Sequence, residues 1–408
     1  MCVSFVVGLL TARYLGPANF GLIGYGGAFT AFFTCFCTLG INDVIVRELI
    51  SRSDKQGEVL GTSIVLRGIS SVLSVLVILA IVRVVDAGEK TTIAVVSLCS
   101  IGVVFNVLDI FQYWFQAGLK SKVTAIASLV AYCITAAYKV FLIVSEKSVI
   151  YFALASSIDY IGIGILLAIA YRKYGGQVLH FSWSYGKELL KISTPFILTG
   201  LMVAIYGQTD KYMLKQMIGS SEIGFYSTAV SLCTAWCFVL SAIIQSMYPV
   251  IMEAHERGEE EFRDKNRLLY AIVFYICIAV SIFFSLFAKP IIIILYGEAY
   301  LPTVGPLRII TWYTAFSYWG VARNAWIVCK NRQKYLKFVY IGAAIANVLL
   351  NLLLIPRWGA SGAAAASLAA QIITTMVIPF FIPALRENSI LMLESIRLKG
   401  IVKKNNRD

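Results

Sequence analysis

Ionisable, amide and aromatic side chains recur at helical spacing inside stretches of this sequence that are otherwise apolar. Asn106, Asp109, Tyr113 and Gln116 stand at i, i+3, i+7 and i+10, which is one face of a helix. Tyr132, Thr135 and Lys139 form a second stripe, and Asp159 follows Ser156 by one turn. Thr199, Tyr206 and Asp210 share one side of a later segment, with Lys211 and Lys215 a turn apart beside them. Arg308, Trp312, Trp319 and Arg323 are spaced for one side of another. Keeping a charged side chain in hydrocarbon costs about 2.5 to 3.5 kcal/mol on insertion scales, so such residues face a cavity or a partner. Counting Arg67, six bases in these segments stand against three acids, Asp109, Asp159 and Asp210, and that excess favours an anionic ligand over a small cation. Arginine grips phosphate through two parallel hydrogen bonds and lysine serves as a point charge. The competing reading is structural. In it Asp210 and Lys211 pair with other helices, Lys215 and Arg308 snorkel to an interface, and Asp109 accepts a hydrogen bond within the protein.

The segments that must hold these residues are membrane-spanning helices. The chain is 59% hydrophobic and 14% charged, with mean hydropathy +0.79, more apolar surface than one soluble core can hide. Period-two alternation is absent, so the backbone has to satisfy itself in helices rather than in a closed barrel. Apolar segments fall near residues 22–42, 63–85, 92–115, 123–144, 148–171, 192–217, 222–246, 267–288, 303–328, 335–355 and 359–385. Each approaches the length of about 20 residues that crosses about 30 Å of hydrocarbon. A twelfth, MCVSFVVGLLTA at the start, would rise only about 18 Å. It lacks a signal-peptide cleavage pattern. It reads as the second half of a first helix whose upstream part precedes this chain. The expected architecture is all-α, a polytopic membrane protein of about twelve transmembrane helices in two six-helix lobes, the first helix partial.

The basic residues set the orientation. With the N-terminus in the cytoplasm, 23 Lys and Arg fall on cytoplasmic segments and six on outer ones, so both termini are expected inside. The formal charge of +13 is explained by that topology and is divided among every second loop, which argues against nucleic acid as a partner. The tail KGIVKKNNRD reads as a solvated end, with attraction to anionic lipid as the other reading. Of nine cysteines, eight lie in or at the ends of apolar spans and read as packing residues. Cys233 and Cys237 are one turn apart, but neither His180 nor His255 joins them, so no metal site is expected.

The chain also resembles itself. ARYLGPANFGLIGY (12–25) and KQMIGSSEIGFYST (215–228) each carry glycines five apart, Gly16 and Gly21, then Gly219 and Gly224, at an offset of 203. Trp114 with Lys122 matches Trp326 with Lys334 at 212. Six spans per half is an even number, so the halves enter the membrane in the same direction, related by an axis along its normal. Each glycine-rich stretch is then expected to be the outer turn between the first two helices of its half. The expected organisation is an N-terminal lobe at 1–175, a cytoplasmic connector at 176–190 with Trp183 and Tyr185 suited to an interfacial helix, a C-terminal lobe at 191–385, and a basic cytoplasmic tail at 386–408.

ARYLGPANFG, the following INDVIVREL (41–49) and the later QTDKYMLKQMIGSSEIGFYSTA resemble the polysaccharide repeat-unit flippases of the multidrug/oligosaccharidyl-lipid/polysaccharide exporter superfamily. The resemblance covers essentially the whole chain in span number, orientation and halving. It implies translocation of a polyprenyl-pyrophosphate-linked oligosaccharide across the cytoplasmic (inner) membrane, for O-antigen, capsule or related polymers, by alternating access. It implies membrane lipid, a coupling ion (H+ or Na+) and polysaccharide polymerase machinery as partners, with no cofactor. The polar stripes would then line a cavity in which bases meet pyrophosphate and aromatic or amide groups meet sugar. Arg13 and Arg47, flanking helices of the opening motif, join the candidates. Two alternatives stay open: a drug or cation exporter of the same superfamily, and a membrane-embedded glycan polymerase or ligase. The enzyme reading lacks an outer loop with paired carboxylates or histidine, the longest being AKPIIIILYGEAYLPT (288–303), and no GxxxxGK phosphate loop supports ATP hydrolysis.

Overall fold

The computed structural model describes residues 2–397, and among these every regular element is a helix. Two compact units meet in the sequence between Tyr212 and Met213. The first contains α1 (Cys2–Thr38), α2 (Ile45–Ser51), α3 (Gln56–Val85), α4 (Lys90–Phe105), α5 (Ile110–Ala117), α6 (Ser121–Val144), α7 (Val149–Lys173) and most of α8 (Trp183–Met217). The second contains α9 (Ser220–Thr234), α10 (Cys237–Arg257), α11 (Glu259–Tyr296), α12 (Val304–Ala322), α13 (Asn324–Cys329), α14 (Leu336–Ile372), α15 (Ile378–Phe381) and α16 (Pro383–Ile396).

Nine helices among the described residues are long and apolar enough to cross a membrane. Two of these are broken into two limbs, at Gly16 and at Gly359. Counting both limbs of each and adding α12 gives the twelve passes that the hydropathy pattern implies. The chain is therefore a multi-pass, all-α membrane protein.

The repeated glycine stretches carry the same backbone device. Gly16 has φ 71° and ψ 171°, and Gly219 has φ 143° and ψ 178°. Both lie in a region open essentially to glycine alone, and each breaks the helix at the stretch where a tight outer turn is expected. Gly21 and Gly224 are buried within the helices that follow. The third break, at Gly359, is secured from α9: the Glu222 carboxylate accepts a hydrogen bond from the Ala360 backbone N–H, capping the first turn of the second limb of α14.

Three sequence expectations are corrected. Residues 174–182 do form a connector, but α8 starts at Trp183 and runs on without a break, so no separate interfacial helix exists there. Trp183 is exposed, whereas Tyr185 is buried and directs its hydroxyl to Glu48 Oε2 at 3.3 Å. The connector is strapped along the start of α3. Gln177 Oε1 accepts from Gly57 N–H at 2.9 Å, His180 N–H donates to the Gly57 carbonyl, and Ser182 N–H donates to Thr62 Oγ1. A Cβ at Gly57 or Gly61 would collide with the strap backbone, which is why this end of α3 is glycine-rich. Second, the segment 288–303 is not an outer loop. α11 continues to Tyr296 and a 3-10 turn, Glu298–Thr303, follows, with Tyr296 and Tyr300 buried. Third, the segment expected as a basic tail from residue 386 begins inside a packed helix, while the stretch KGIVKKNNRD, read as a solvated end, lies outside the described residues. α16 packs Leu385, Leu391 and Met392 into the core of the second unit with Phe262, Leu269, Trp319 and Trp326. Asn388 Nδ2 donates to the Tyr270 hydroxyl, and Arg267 pairs with Glu394. The bases at 399, 403, 404 and 407 lie outside the described residues.

Candidate functional site

In the first unit two apolar layers enclose a polar one. One layer contains Leu60, Leu66, Ile110, Phe115, Ala127, Leu167 and Tyr171, and the other contains Val95, Cys99, Leu142, Phe152 and Ala153. Along the helices that contribute to both layers the polar residues fall between members of the two: Asn106 and Asp109 between α4 and α5, Thr135 and Lys139 on α6, and Asp159 on α7; Arg67 follows Leu66 on α3 and reaches Asn106. Three separate sequence groups, with Arg67 added to them, thus belong to one level of one bundle.

The segment Asn106–Asp109 is a 3-10 turn inserted between α4 and α5. A 3-10 turn tightens the helix and lets a side chain from a neighbour reach its carbonyls. Arg67 does so, donating from Nη2 to the Asn106 carbonyl at 3.0 Å and to Asn106 Oδ1 at 3.2 Å. Arg67 is 1% exposed, and its Nε and Nη1 have no hydrogen-bond partner among the described residues. The Asp109 carboxylate and the Tyr113 hydroxyl lie within electrostatic range of the guanidinium. Gln116, the fourth member of the sequence stripe, is exposed at the end of α5 and apart from this group. Periodicity along α3 does not single out Arg67 as a site residue, because its partners lie 39 positions away. Its one sequence signal is an arginine in the middle of an apolar span.

On the far side of the layer, Thr135 Oγ1 donates to Asp159 Oδ1 at 2.8 Å, and Lys139 lies within electrostatic range of the same carboxylate. Tyr132, Thr135, Lys139 and Asp159 line a small pocket with Ser4 and Val7 of α1. Ser156 is exposed, and the neighbouring Ser157 bonds the Leu98 carbonyl instead. Tyr160 joins the two sides, bonding Asn106 and lying within electrostatic range of Asp109 and Asp159.

A cavity of about 280 Å³ in the same unit is walled by Tyr25, Phe29, Phe32, Phe33 and Tyr212, with Gln208 and Thr209 as its polar edge. The Tyr25 and Tyr212 rings stack at 6.3 Å and 21°. Lys211 Nζ donates to Gln208 Oε1 at 3.4 Å, and Asp210 is buried beside it. The Thr199 side chain lies outside what is described. Arg13 and Arg47 are exposed, Arg47 bonding Glu48 Oε1 at 3.3 Å.

In the second unit the stripe on α12 is spent on neighbours. Arg308 Nε donates to the Ser285 carbonyl at 3.1 Å and Trp312 Nε1 to Ser285 Oγ at 3.2 Å. Trp319 is buried against Phe274. Arg323, 4% exposed, donates from Nη1 to the Thr374 and Thr375 carbonyls at 3.1 and 3.3 Å. Those carbonyls belong to a π-helical turn, Ile373–Val377, whose widened ladder frees them for a side-chain donor. Lys215 is buried at the end of α8. Among the described residues no group of three His, Cys, Asp or Glu side chains is arranged to hold a metal.

Helices folded in this way, with a charged layer inside an apolar bundle, define a class: multi-pass membrane proteins with the fold of the MOP-superfamily transporters. An inward-facing multidrug resistance MATE family transporter of that superfamily superposes with a TM-score of 0.74 at 15% identity, over 95% of this chain and 96% of its own. The lipid II flippase MurJ in an inward closed conformation superposes with a TM-score of 0.76 at 14% identity, over 99% and 91%. A MOP-superfamily transporter from Pyrococcus furiosus, described as having a binding pocket of reverse polarity, reaches a TM-score of 0.65 at 15% identity, over 96% and 92%. No curated protein sequence matches the chain. Residues 1–255 match the family model described as polysaccharide biosynthesis protein, and the chain belongs to that family.

Proposed function

We propose that this protein is a flippase that moves a polyprenyl-pyrophosphate-linked oligosaccharide across the cytoplasmic membrane by alternating access, serving O-antigen, capsule or exopolysaccharide synthesis. The observation that carries the reading is the layer of Arg67, Lys139 and their polar neighbours held within the first unit of a polysaccharide biosynthesis family member. Basic groups kept at such cost suit a pyrophosphate. The aromatic cavity beside Lys211 suits a sugar face or an isoprenoid chain. Its work is binding and movement without bond-making, driven by H+ or Na+ or by the membrane potential, with the product handed to a polysaccharide polymerase. A drug exporter is the second reading, favoured by the likeness to multidrug MATE transporters. The excess of bases over acids in the spans weighs against a cationic drug.

The test is complementation of surface-polymer synthesis in a strain lacking the protein, with membrane levels measured in parallel. Lys139→Gln and Lys211→Gln are expected to insert normally and lower polymer yield, and Lys139→Glu to lower it further because repulsion replaces attraction. At a 4 Å contact and an effective dielectric near 20 the attraction is about 4 kcal/mol before desolvation is subtracted. Full polymer with all three variants at normal levels would refute carrier binding by these lysines. Drug sensitivity without a polymer defect would favour the exporter.

A further inference from the structure

The helix α16 has an inner face that belongs to the core and an outer face that no described residue of the second unit covers. Arg386, Ile390, Leu393 and Arg397 stand at i, i+4, i+7 and i+11 and are all exposed, Ile390 at 39% and Leu393 at 42%. They fall in one narrow stripe, two apolar side chains between two arginines. The stripe begins where the chain leaves the last apolar pass. Residues to Phe381 belong to a membrane-spanning helix, Ile382 alone is extended at φ −89° and ψ 111°, and α16 starts at Pro383. Phe381 is 78% exposed at this boundary, and the Arg386 guanidinium sits 5.1 Å from the centre of the Phe380 ring. The helix therefore emerges at the depth where hydrocarbon gives way to headgroups.

We infer that this outer face of α16 is a binding surface for the headgroups of anionic bilayer phospholipids. A helix lying at the interface buries its apolar stripe at the boundary of headgroup and acyl chain and reaches to phosphates with its basic side chains. The inner face cannot supply the attraction, because Leu385, Asn388, Leu391 and Met392 are engaged in the core. Nor do the acids of the helix cancel it: Glu394 is held by Arg267, and Glu387 lies well to the side of the stripe. The sequence that follows strengthens the field, with Lys399, Lys403, Lys404 and Arg407 against the single acid Asp408. A second copy of the chain is a poorer occupant. Two such stripes pairing about a two-fold axis would bring Arg386 of each against Arg397 of the other.

Native mass spectrometry of the full, detergent-purified chain, titrated separately with phosphatidylglycerol and phosphatidylcholine, tests this. The wild-type chain is expected to retain phosphatidylglycerol preferentially, and Arg386→Gln with Arg397→Gln to reduce that preference by about fivefold for each charge removed. The same preference in the wild-type chain is expected to fall as ammonium acetate rises from about 50 to about 500 mM, because exposed charges are screened. That measurement stands even if the double variant does not fold. Equal retention of both lipids, an unchanged preference in a folded double variant, or indifference to salt would each overturn the inference. So would a dimer that Ile390→Ser with Leu393→Ser converts to a monomer, which would assign the face to self-association.

Discussion

At the scale of single residues the polar layer of the first unit depends on Arg67. Its guanidinium satisfies both oxygens of Asn106 and places positive charge near Asp109, deep in an apolar span. Removing it strands buried acceptors, and a stranded buried acceptor costs about 1 to 3 kcal/mol. Arg67→Met is therefore expected to lower the thermal unfolding midpoint of the purified protein. Asn106→Leu is expected to do the same to a smaller degree, because it removes the Oδ1 acceptor and leaves Arg67 Nη2 the backbone carbonyl alone. The double variant should lose less than the sum of the two, since each single change already breaks the shared contact. Strict additivity would mean that the Arg67–Asn106 hydrogen bonds do not couple the two helices. Arg323 plays a comparable part in the second unit, where it holds the two carbonyls freed by the π-helical turn.

At the scale of elements the two halves reuse one device, a helix broken at a lone glycine. A Cβ at Gly16 or Gly219 would meet nothing within 4 Å, so a side chain there is opposed by backbone conformation alone and not by crowding. Gly16→Ala and Gly219→Ala are each expected to cost about 1 to 3 kcal/mol. Gly68→Ala, also in open space but in regular helix on α3, is expected to be neutral or to stabilise by up to about 1 kcal/mol. Thermal midpoints of the three variants in the same detergent decide it. Equal behaviour of all three would show that the breaks at Gly16 and Gly219 tolerate ordinary residues. The strap at 174–182 is a second element-scale feature. It ties the connector to α3, α7 and the turn after α2 through Gln177 and Tyr171, Gln177 Nε2 donating to the Ser53 carbonyl, and so belongs structurally to the first unit.

At the scale of the whole molecule the distribution of basic residues implies an orientation that labelling can read. Ser221 lies just past the Gly219 break and Glu260 lies at the start of α11, both exposed and at opposite ends of the pass formed by α9 and α10. Ser221→Cys and Glu260→Cys, in a background with the native cysteines replaced, are expected to react with an impermeant reagent from opposite sides, Ser221→Cys from outside. Reaction of both from the same side would refute the twelve-pass arrangement with cytoplasmic termini.

Hydropathy by itself determined that the chain is a helical membrane protein of about twelve passes, because an apolar run of span length has no other stable form in lipid. The glycine repeats marked two of the helix breaks, since essentially only glycine occupies the backbone conformation found at Gly16 and Gly219. Local periodicity also found most members of the polar layer, Asn106, Asp109, Lys139 and Asp159, because helical spacing is a property of neighbours in sequence. It assumed an unbroken α-helix through Asn106–Asp109, and so carried the stripe on to Gln116, which the 3-10 turn leaves apart. Only the tertiary structure decided which stripes meet. Arg67 joins Asn106 from 39 positions away, Asp159 joins Thr135 from 24, and Tyr185 joins Glu48 from 137. The stripe on α12, equally regular in sequence, is instead used up on Ser285, Thr374 and Thr375. The segment from residue 386 likewise reads as the start of a basic tail, yet α16 docks through Leu391, Met392 and Asn388. The physical reason is common to all of these. Composition fixes what a helix face can offer, but whether that face meets lipid, a neighbour or a cavity depends on which distant segment packs against it.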